Sequence, residues 1–469
     1  MLNNRINITQ KNFLLSLYVL ALGVLVPIVY WLINAERKPP LSNNEQNIVE
    51  NRISSGGKIL VTADDSIAKQ SGVEAFAKGD YVTALEQMNA SLKSDRNDPE
   101  ARIYLNNILA AKTKDPYQIA VSVPIGGNLA VAQEILRGVA QAQSEVNQAG
   151  GINGKLVMVE IANDDNDSNT ASEIAEKFVR DEQITAVIGH NSSNVSQKVA
   201  PIYNDEELVM ITPTSSAADL TKLGEYIFRT TPSTRKLAEP LAEYAVNTLG
   251  KKNIAICYDS ESAAVSSFKD EFTYSVFDLG AKVAPVKCDF AEQNFLAEEM
   301  PSQIISSGAD AILLAPSLRK VDEAIAVAKA NQQTLPLLGS HTLNSYSLLE
   351  EGQNAVKGMT LAVAWNPLNK PKNKFNREAQ KLWGGLVSWR TAMAYDAAKT
   401  IFAGMKVKDT REGLQQTLNS SNFVAEGAAS NVNFLPSGDR NLQGTLVQVQ
   451  PGNQSGTGFD FVPLSAGKP

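Results

Sequence analysis

From Tyr117 onward, short apolar runs alternate with longer segments of helical period. The runs are "YQIAVSVPI", "KLVMVEIA", "ITAVIG", "LVMITP", "NIAICY", "AKVAPVK", "DAILLAP", "LPLLG" and "MTLAVAW". Between them lie segments such as "AQEILRGVAQAQSEVNQAG", where Ile135, Val139, Ala142 and Val146 recur at helix spacing. Gly150-Gly151 ends that pattern. Strand candidates that are short and nearly all apolar are expected where both faces of a sheet are buried. The alternation therefore predicts an α/β fold with parallel sheets covered by helices. So many runs exceed one small sheet, so two lobes are expected.

Before Tyr117 the pattern changes. Phe13 to Ile33 carries no charge. Such a length of helix spans about 31 Å, the thickness of bilayer hydrocarbon. Tyr18, Tyr30 and Trp31 lie near its ends, as interfacial rings do. A cleaved signal peptide would have a shorter apolar region and a better small-residue site than "INA". The expectation is a cytoplasmic stub and single-pass anchor over residues 1–35, with the body on the periplasmic side of the inner membrane. Residues 36–63, with Pro39-Pro40 and "SSGG", read as a linker. Residues 64–115 have helical period and resemble one tetratricopeptide repeat plus a further helix. Gly72, Phe76, Gly79, Tyr81, Ala84, Met88 and Pro99 carry that resemblance. A lone repeat cannot bury its own face. It must lean on the main domain, a second copy or another protein, and serves either as a spacer or as a docking site.

Two hydroxyl clusters follow two of the apolar runs. Ser192-Ser193 follows "AVIG", and Thr214-Ser215-Ser216 follows "VMIT". In open parallel sheets, ligands bind beyond the carboxyl ends of the strands. Hydroxyls there can cap the next helix. They can also point donors, together with helix amides, at an anionic group. Capping needs one hydroxyl per helix, so spare hydroxyls in two equivalent loops favour a carboxylate site.

These residues also carry a wider resemblance. "VNQAGGINGKLVMVEIANDDND", "AVIGHNSSNVSQKVAPIY", "LVMITPTSSAADLT", "YIFRTTPS", "AYDAAKT" and "PSGDRN" occur in order. The chain from Tyr117 to Val462 thus resembles the branched-chain amino-acid and amide family of periplasmic substrate-binding proteins, which serve ABC importers. The resemblance implies a bilobal type I fold over residues 116–469. Lobe 1 would take residues 116–231 and 365–441, and lobe 2 residues 234–362 and 445–465. Crossings are implied near Thr230–Ser233, Ala362–Trp365 and Leu442–Thr445. It also implies an amino-acid-like ligand, a permease as partner, and closure of the lobes on the ligand. Ser193 would donate to the ligand carboxylate, Thr214 would offer its carbonyl to the ammonium, and Ser216 would bond through hydroxyl and amide. Ser192 and Ser215 belong to the same loops. Ala263, Ser317 and Val131 stand where the family has aromatic residues, and His341 where it has an acid. A neutral histidine is no counter-ion for an ammonium, and a protonated one repels it. The carboxylate half of the site is therefore kept and the ammonium half altered. The alternative is a membrane-tethered sensor or scaffold that uses the helical region for docking.

Charge and composition narrow the remaining classes. The formal net charge is −7 and no basic stripe occurs, so a nucleic-acid partner is not expected. Cys257 and Cys288 are too few for a disulfide framework, and two buried thiols are expected, although neighbouring strands would bring them close. His190 and His341 have no metal-ligand spacing, and no cofactor is implied. "AGGINGK" precedes a strand and reads as a turn, not a phosphate loop. "NDDNDSN" lacks the glycine and distal acid of a calcium loop and reads as a helix-capping loop. "GHNSSN" is not a nucleophile elbow, so no enzyme is expected. Trp365, Trp383 and Trp389 are expected in the core.

Overall fold

In the computed structural model, which describes residues 49–428 and 430–464, the apolar runs become strands of two separate sheets. The first contains β1 (Ile53–Ser54), β2 (Tyr117–Val123), β3 (Val157–Asn163), β4 (Ile184–Ile188), β5 (Val209–Thr212) and β6 (Ile227–Arg229). Its order is β1-β3-β2-β4-β5-β6, parallel except for β1. The second contains β7 (Asn253–Tyr258), β8 (Lys282–Val283), β9 (Ala311–Ala315), β10 (Leu337–Gly339), β11 (Thr360–Val363), β12 (Thr445–Pro451) and β13 (Phe459–Pro463). Its order is β13-β12-β11-β10-β9-β7-β8, with β12 and β13 antiparallel. All nine apolar runs contain a strand. Four further strands lie outside them: β1 and β6 are very short, and β12 alternates buried with half-buried positions, as an antiparallel strand with one face toward solvent does.

Helices follow most strands. Ahead of β2 come α1 (Ile67–Ala77), α2 (Tyr81–Ser94) and α3 (Pro99–Ala111). The first sheet carries α4 (Leu129–Gln148), α5 (Ser168–Arg180) and α6 (Ser193–Asp205). The second carries α7 (Thr234–Glu243), α8 (Ala263–Asp278), α9 (Met300–Ser306), α10 (Val321–Asn331) and α11 (Tyr346–Gly352). Then α12 (Lys374–Trp383), α13 (Trp389–Val407) and α14 (Arg411–Leu418) return to the first sheet. The chain thus passes between the sheets three times: after β6, after β11 and before β12. Motif residues hold the first passage in place. Buried Arg229 pairs with Asp439 and donates to the Ala217 carbonyl at 2.6 Å. Arg440 pairs with buried Asp396 at 2.6 Å and donates to the Thr230 carbonyl at 3.2 Å.

The helices α1–α3 form a collar that shares one hydrophobic core with the first lobe. Met88, Tyr104 and Ile108 are continuous with Ile119, Ile135 and Val159. Gly72 lets α1 and α2 approach closely, because a Cβ there would meet the Met88 methyl at 3.0 Å. Lys69 lies fully buried between Asp98 at 2.7 Å and Glu100 at 2.8 Å. Glu100 also accepts the amides of Leu60 and Val61 and the hydroxyl of Tyr104. The segment read as a linker is therefore built in where it is described. Ile53–Ser54 pairs with β3 and Val61 is fully buried. Its polar residues mask this, because backbone pairing and Glu100 hold it together with a few scattered apolar side chains such as Ile53 and Val61.

The outer edge of β3 needs this arrangement, since an unpaired edge leaves backbone groups unsatisfied. Asn147 exchanges two hydrogen bonds with Val157, at 2.9 and 2.8 Å. Asn107 does the same with Val159, at 2.8 and 2.9 Å, and also bonds the Ser55 carbonyl and Gln143. Two buried asparagines so stand in for a strand before β1 takes over.

The expected anchor, Phe13–Ile33, lies outside the described residues. Among the described residues no helix is long and apolar enough to cross a membrane. The two cysteines are not free thiols: Cys257 and Cys288 form a disulfide, because β7 and the chain after β8 run side by side at Tyr258 and Asp289.

Replacing Asn107 with Ala should lower the unfolding free energy by about 3 kcal/mol, since buried backbone groups lose partners worth about 1–3 kcal/mol each. A urea titration measures this. A change below about 0.5 kcal/mol would mean the collar does not brace the sheet edge.

Candidate functional site

The strands of both sheets direct their carboxyl ends toward a cleft of about 610 Å³ between the lobes. Its walls come from the loops after β2, β3, β4 and β5 on one side and after β7, β9 and β10 on the other. The start of α13 adds Trp389 and Arg390. Several helices begin at this cleft. Asn128 caps α4, Asp167 caps α5, Ser192 caps α6 and Ser262 caps α8, and all four capping residues line the wall. Each helix N-terminus brings unpaired amides and a partial positive charge.

The hydroxyls divide by task. Ser192 caps α6 by accepting from the Val195 amide at 3.3 Å. Ser193 lines the cleft and accepts the Ala217 amide at 3.2 Å, which leaves its own hydrogen to give. Thr214 lines the cleft, but its hydroxyl donates to the Asn191 carbonyl at 2.8 Å. Ser215 is turned away, bonded to Ser196 at 2.7 Å and to the carbonyls of His190 and Asn191. Ser216 is fully buried, lies outside the cleft lining and faces His341 Nε2 at a long 3.4 Å. The second cluster precedes only a short 3₁₀ turn, Leu220–Leu223, so it caps no α-helix. The hydroxyls of Thr214 and Ser215 serve buried carbonyls, and that of Ser216 faces the His341 ring.

Beneath these loops lies a buried polar network. His190 Nδ1 contacts Asp164 at 2.6 Å and Nε2 contacts the Tyr203 hydroxyl at 3.0 Å. Asp164 also accepts the Ser122 hydroxyl at 2.9 Å and the Asn166 amide at 2.9 Å. The network ties the loop after β3 to the loop after β4, and both line the cleft.

On the second lobe, Ser317 and His341 line the cleft, whereas Ala263 does not. The Ala263 amide donates to Asn194 Oδ1 at 2.9 Å, and Asn194 Nδ2 donates to the Glu261 carbonyl at 3.1 Å. This pair of bonds and that from the Ala218 amide to Ser267 Oγ, 3.0 Å, join the lobes directly. Val131 is packed in the first turn of α4 and is absent from the lining. The aromatic surface comes instead from Trp389, which is buried in the core, as expected, and also borders the cleft. Trp365 and Trp383 are buried in the core of the first lobe. Trp389 meets the His341 ring edge-on at 5.6 Å, and the Arg390 guanidinium lies 4.6 Å from its ring centroid. Arg390 is 4% exposed, pairs with Glu134 at 3.3 Å and escaped the sequence reading altogether. A buried arginine one residue inside a helix start carries no motif that could have found it.

His341 is held neutral. Burial, reinforced by the positive charge of Arg390, pushes its pKa down from 6.5 to about 3. Its Nδ1 is buried without a hydrogen-bond partner and belongs to the cleft wall. "NDDNDSN" and "AGGINGK" are structural: Asp167 caps α5, and Ile152 and Lys155 close a tight turn.

Two α/β lobes with a polar cleft at their strand ends define a protein that takes up a small ligand. The periplasmic binding protein family model matches residues 116–455, and the chain belongs to that family. It is a binding protein, not an enzyme. The leucine-, isoleucine-, valine-, threonine- and alanine-binding protein of Pseudomonas aeruginosa is 25% identical over 341 residues, 71% of this chain and 90% of that one. The leucine-specific-binding protein of Salmonella typhimurium is 28% identical over 274 residues, 57% of this chain and 72% of that one. A leucine-binding protein of Thermotoga maritima shares the fold, with a TM-score of 0.65 at 21% identity, over 75% of this chain and 99% of that one.

The His341 shift fixes a pH dependence. The folded pKa lies below the unfolded one, so below about pH 6.5 the unfolded chain binds a proton the folded chain refuses. Stability present above that pH is lost as pH falls toward about 3. His341→Gln should flatten the fall by about 1.4 kcal/mol per pH unit between about pH 6 and pH 4, read from urea midpoints. Parallel curves for the two proteins would contradict a neutral, buried ring.

Proposed function

We propose that this protein is an extracytoplasmic solute-binding protein that captures an amino acid or related small carboxylate for an ABC importer. The observation that supports this best is the convergence of capped helix N-termini, the Ser193 hydroxyl and the Arg390 guanidinium on one inter-lobe cleft. Preorganised donors of this kind suit a carboxylate, and each charged hydrogen bond is worth about 1.5–3 kcal/mol. The names of the Pseudomonas and Salmonella relatives agree with a small amino-acid-like ligand. The Cys257–Cys288 disulfide fits an oxidising compartment outside the cytoplasm. The uncharged stretch Phe13–Ile33 would hold the body at the inner membrane, facing the periplasm. Capture would proceed from ligand on the first lobe to closure selected by contacts with the second. Ser193 is assigned to the ligand carboxylate and Thr214 to the loop that frames it. Ser317 and His341 are assigned to the facing wall.

The second reading is a membrane-tethered sensor or scaffold. It draws on the collar, which is fused to the core of the first lobe where a flexible tether would serve transport equally well. Co-purification with a permease favours transport, and co-purification with a signalling protein favours the sensor.

Ser193→Ala should weaken the best carboxylate ligand by about 1.5–3 kcal/mol, roughly ten- to a hundred-fold in Kd, measured by calorimetry. Unchanged affinity would remove Ser193 from the site. No binding by any amino acid, amide or short carboxylate would count against capture for transport.

A further inference from the structure

The charge at the buried end of the cleft selects among carboxylates. Three side chains meet there: His341, Trp389 and Arg390, which are 6%, 2% and 4% exposed. The guanidinium carries a permanent charge, and Glu134, more exposed, is its ion-pair partner at 3.3 Å. His341 contributes no negative charge, and its ring stands against the Ser216 hydroxyl. Its depressed pKa has the neighbouring guanidinium as its second cause, which marks the local potential as positive. Its Nδ1 is buried without a hydrogen-bond partner, so the cluster holds a polar atom left unsatisfied.

The aspartates of the wall have hydrogen-bond or ion-pair partners of their own, apart from the cluster. Asp165 is paired with Arg52 at 2.5 Å and accepts the Gly126 amide at 2.7 Å. Asp167 accepts the amides of Asn169 and Thr170. Asp259 accepts the amide of Glu261 at 3.1 Å. Glu261 is exposed, and exposed charges are weakened by solvent and salt. At the cluster, an ammonium would face a guanidinium and a neutral ring, and the carboxylate recorded against the cluster, Glu134, is already paired with Arg390. An anion or a neutral acceptor would gain a charged donor instead.

We propose that the ligand of this cleft is a carboxylate without an α-ammonium group, held between the Ser193 end of helix α6 and the His341–Trp389–Arg390 cluster. The inference rests on the reading of the protein as a solute-capturing one and narrows its substrate to acids such as keto, hydroxy or deaminated acids. The Arg390 guanidinium lies over the Trp389 ring, so the cluster sets polar atoms beside the indole.

The test is calorimetry on the full chain with matched ligands: leucine against its keto acid and its deaminated acid, and phenylalanine against phenylpyruvate. The amine-free member of at least one set should bind about tenfold or more tightly than its amino acid, a difference of about 1.4 kcal/mol. Arg390→Gln should abolish that preference, whereas Glu134→Gln, which keeps the guanidinium, should retain it. His341→Asp should shift the preference toward the amino acid. If the amino acid binds more tightly in each set, the inference is overturned while solute capture stands. If none of these ligands, nor any other amino acid, amide or short carboxylate, binds to the folded protein, both are overturned.

Discussion

The carbonyl oxygen of His190 sits at the end of β4, out of reach of water, and the first lobe is arranged around satisfying it. It accepts the hydroxyls of Ser196, Thr212 and Ser215 at 3.1, 2.7 and 3.2 Å. An orphaned buried carbonyl would cost about 1–3 kcal/mol. The three donors come from α6, β5 and the loop after β5, so one acceptor sets the spacing of both loops that face the cleft. The same residue's ring joins Asp164 and Tyr203, which brings the loop after β3 into register. Ligand-facing groups such as Ser193 are therefore placed by groups that never see the ligand.

The remaining motif residues work in the same way at the passage between lobes. Arg229 with Asp439 and Arg440 with Asp396 bring the ends of three distant segments to one point. Buried ion pairs offer little net stability against apolar substitutes, but removing one partner strands the other. Their use here is geometric: they fix where the chain leaves the first sheet, and so how the second lobe is presented.

The sequence made the α/β architecture legible because strands buried on both faces are written as unbroken apolar runs. Strands of another kind were missed. In β12, Val447 and Val449 alternate with Gln448 and Gln450, and in β1 two residues pair by backbone alone. The hydroxyl clusters lie in loops at the cleft, but only the structure separates Ser193, which retains a hydrogen to give, from Ser215, which is turned away, and Ser216, which faces His341. Arg390 and the placement of Trp389 were invisible, because an inter-lobe surface depends on how two distant segments meet and leaves no local period. The disulfide was hidden for a related reason: the approach of Cys257 to Cys288 is a property of sheet order.

The collar shares its core with only one of the two lobes. A change in the angle between the lobes is consequently asymmetric when viewed from the collar, which belongs to the first lobe's frame. Seen from the collar, the first lobe is the fixed frame and the second lobe is the part whose position can differ. For an assembly that reads lobe position, that converts ligand occupancy into displacement of a single surface measured from a fixed origin.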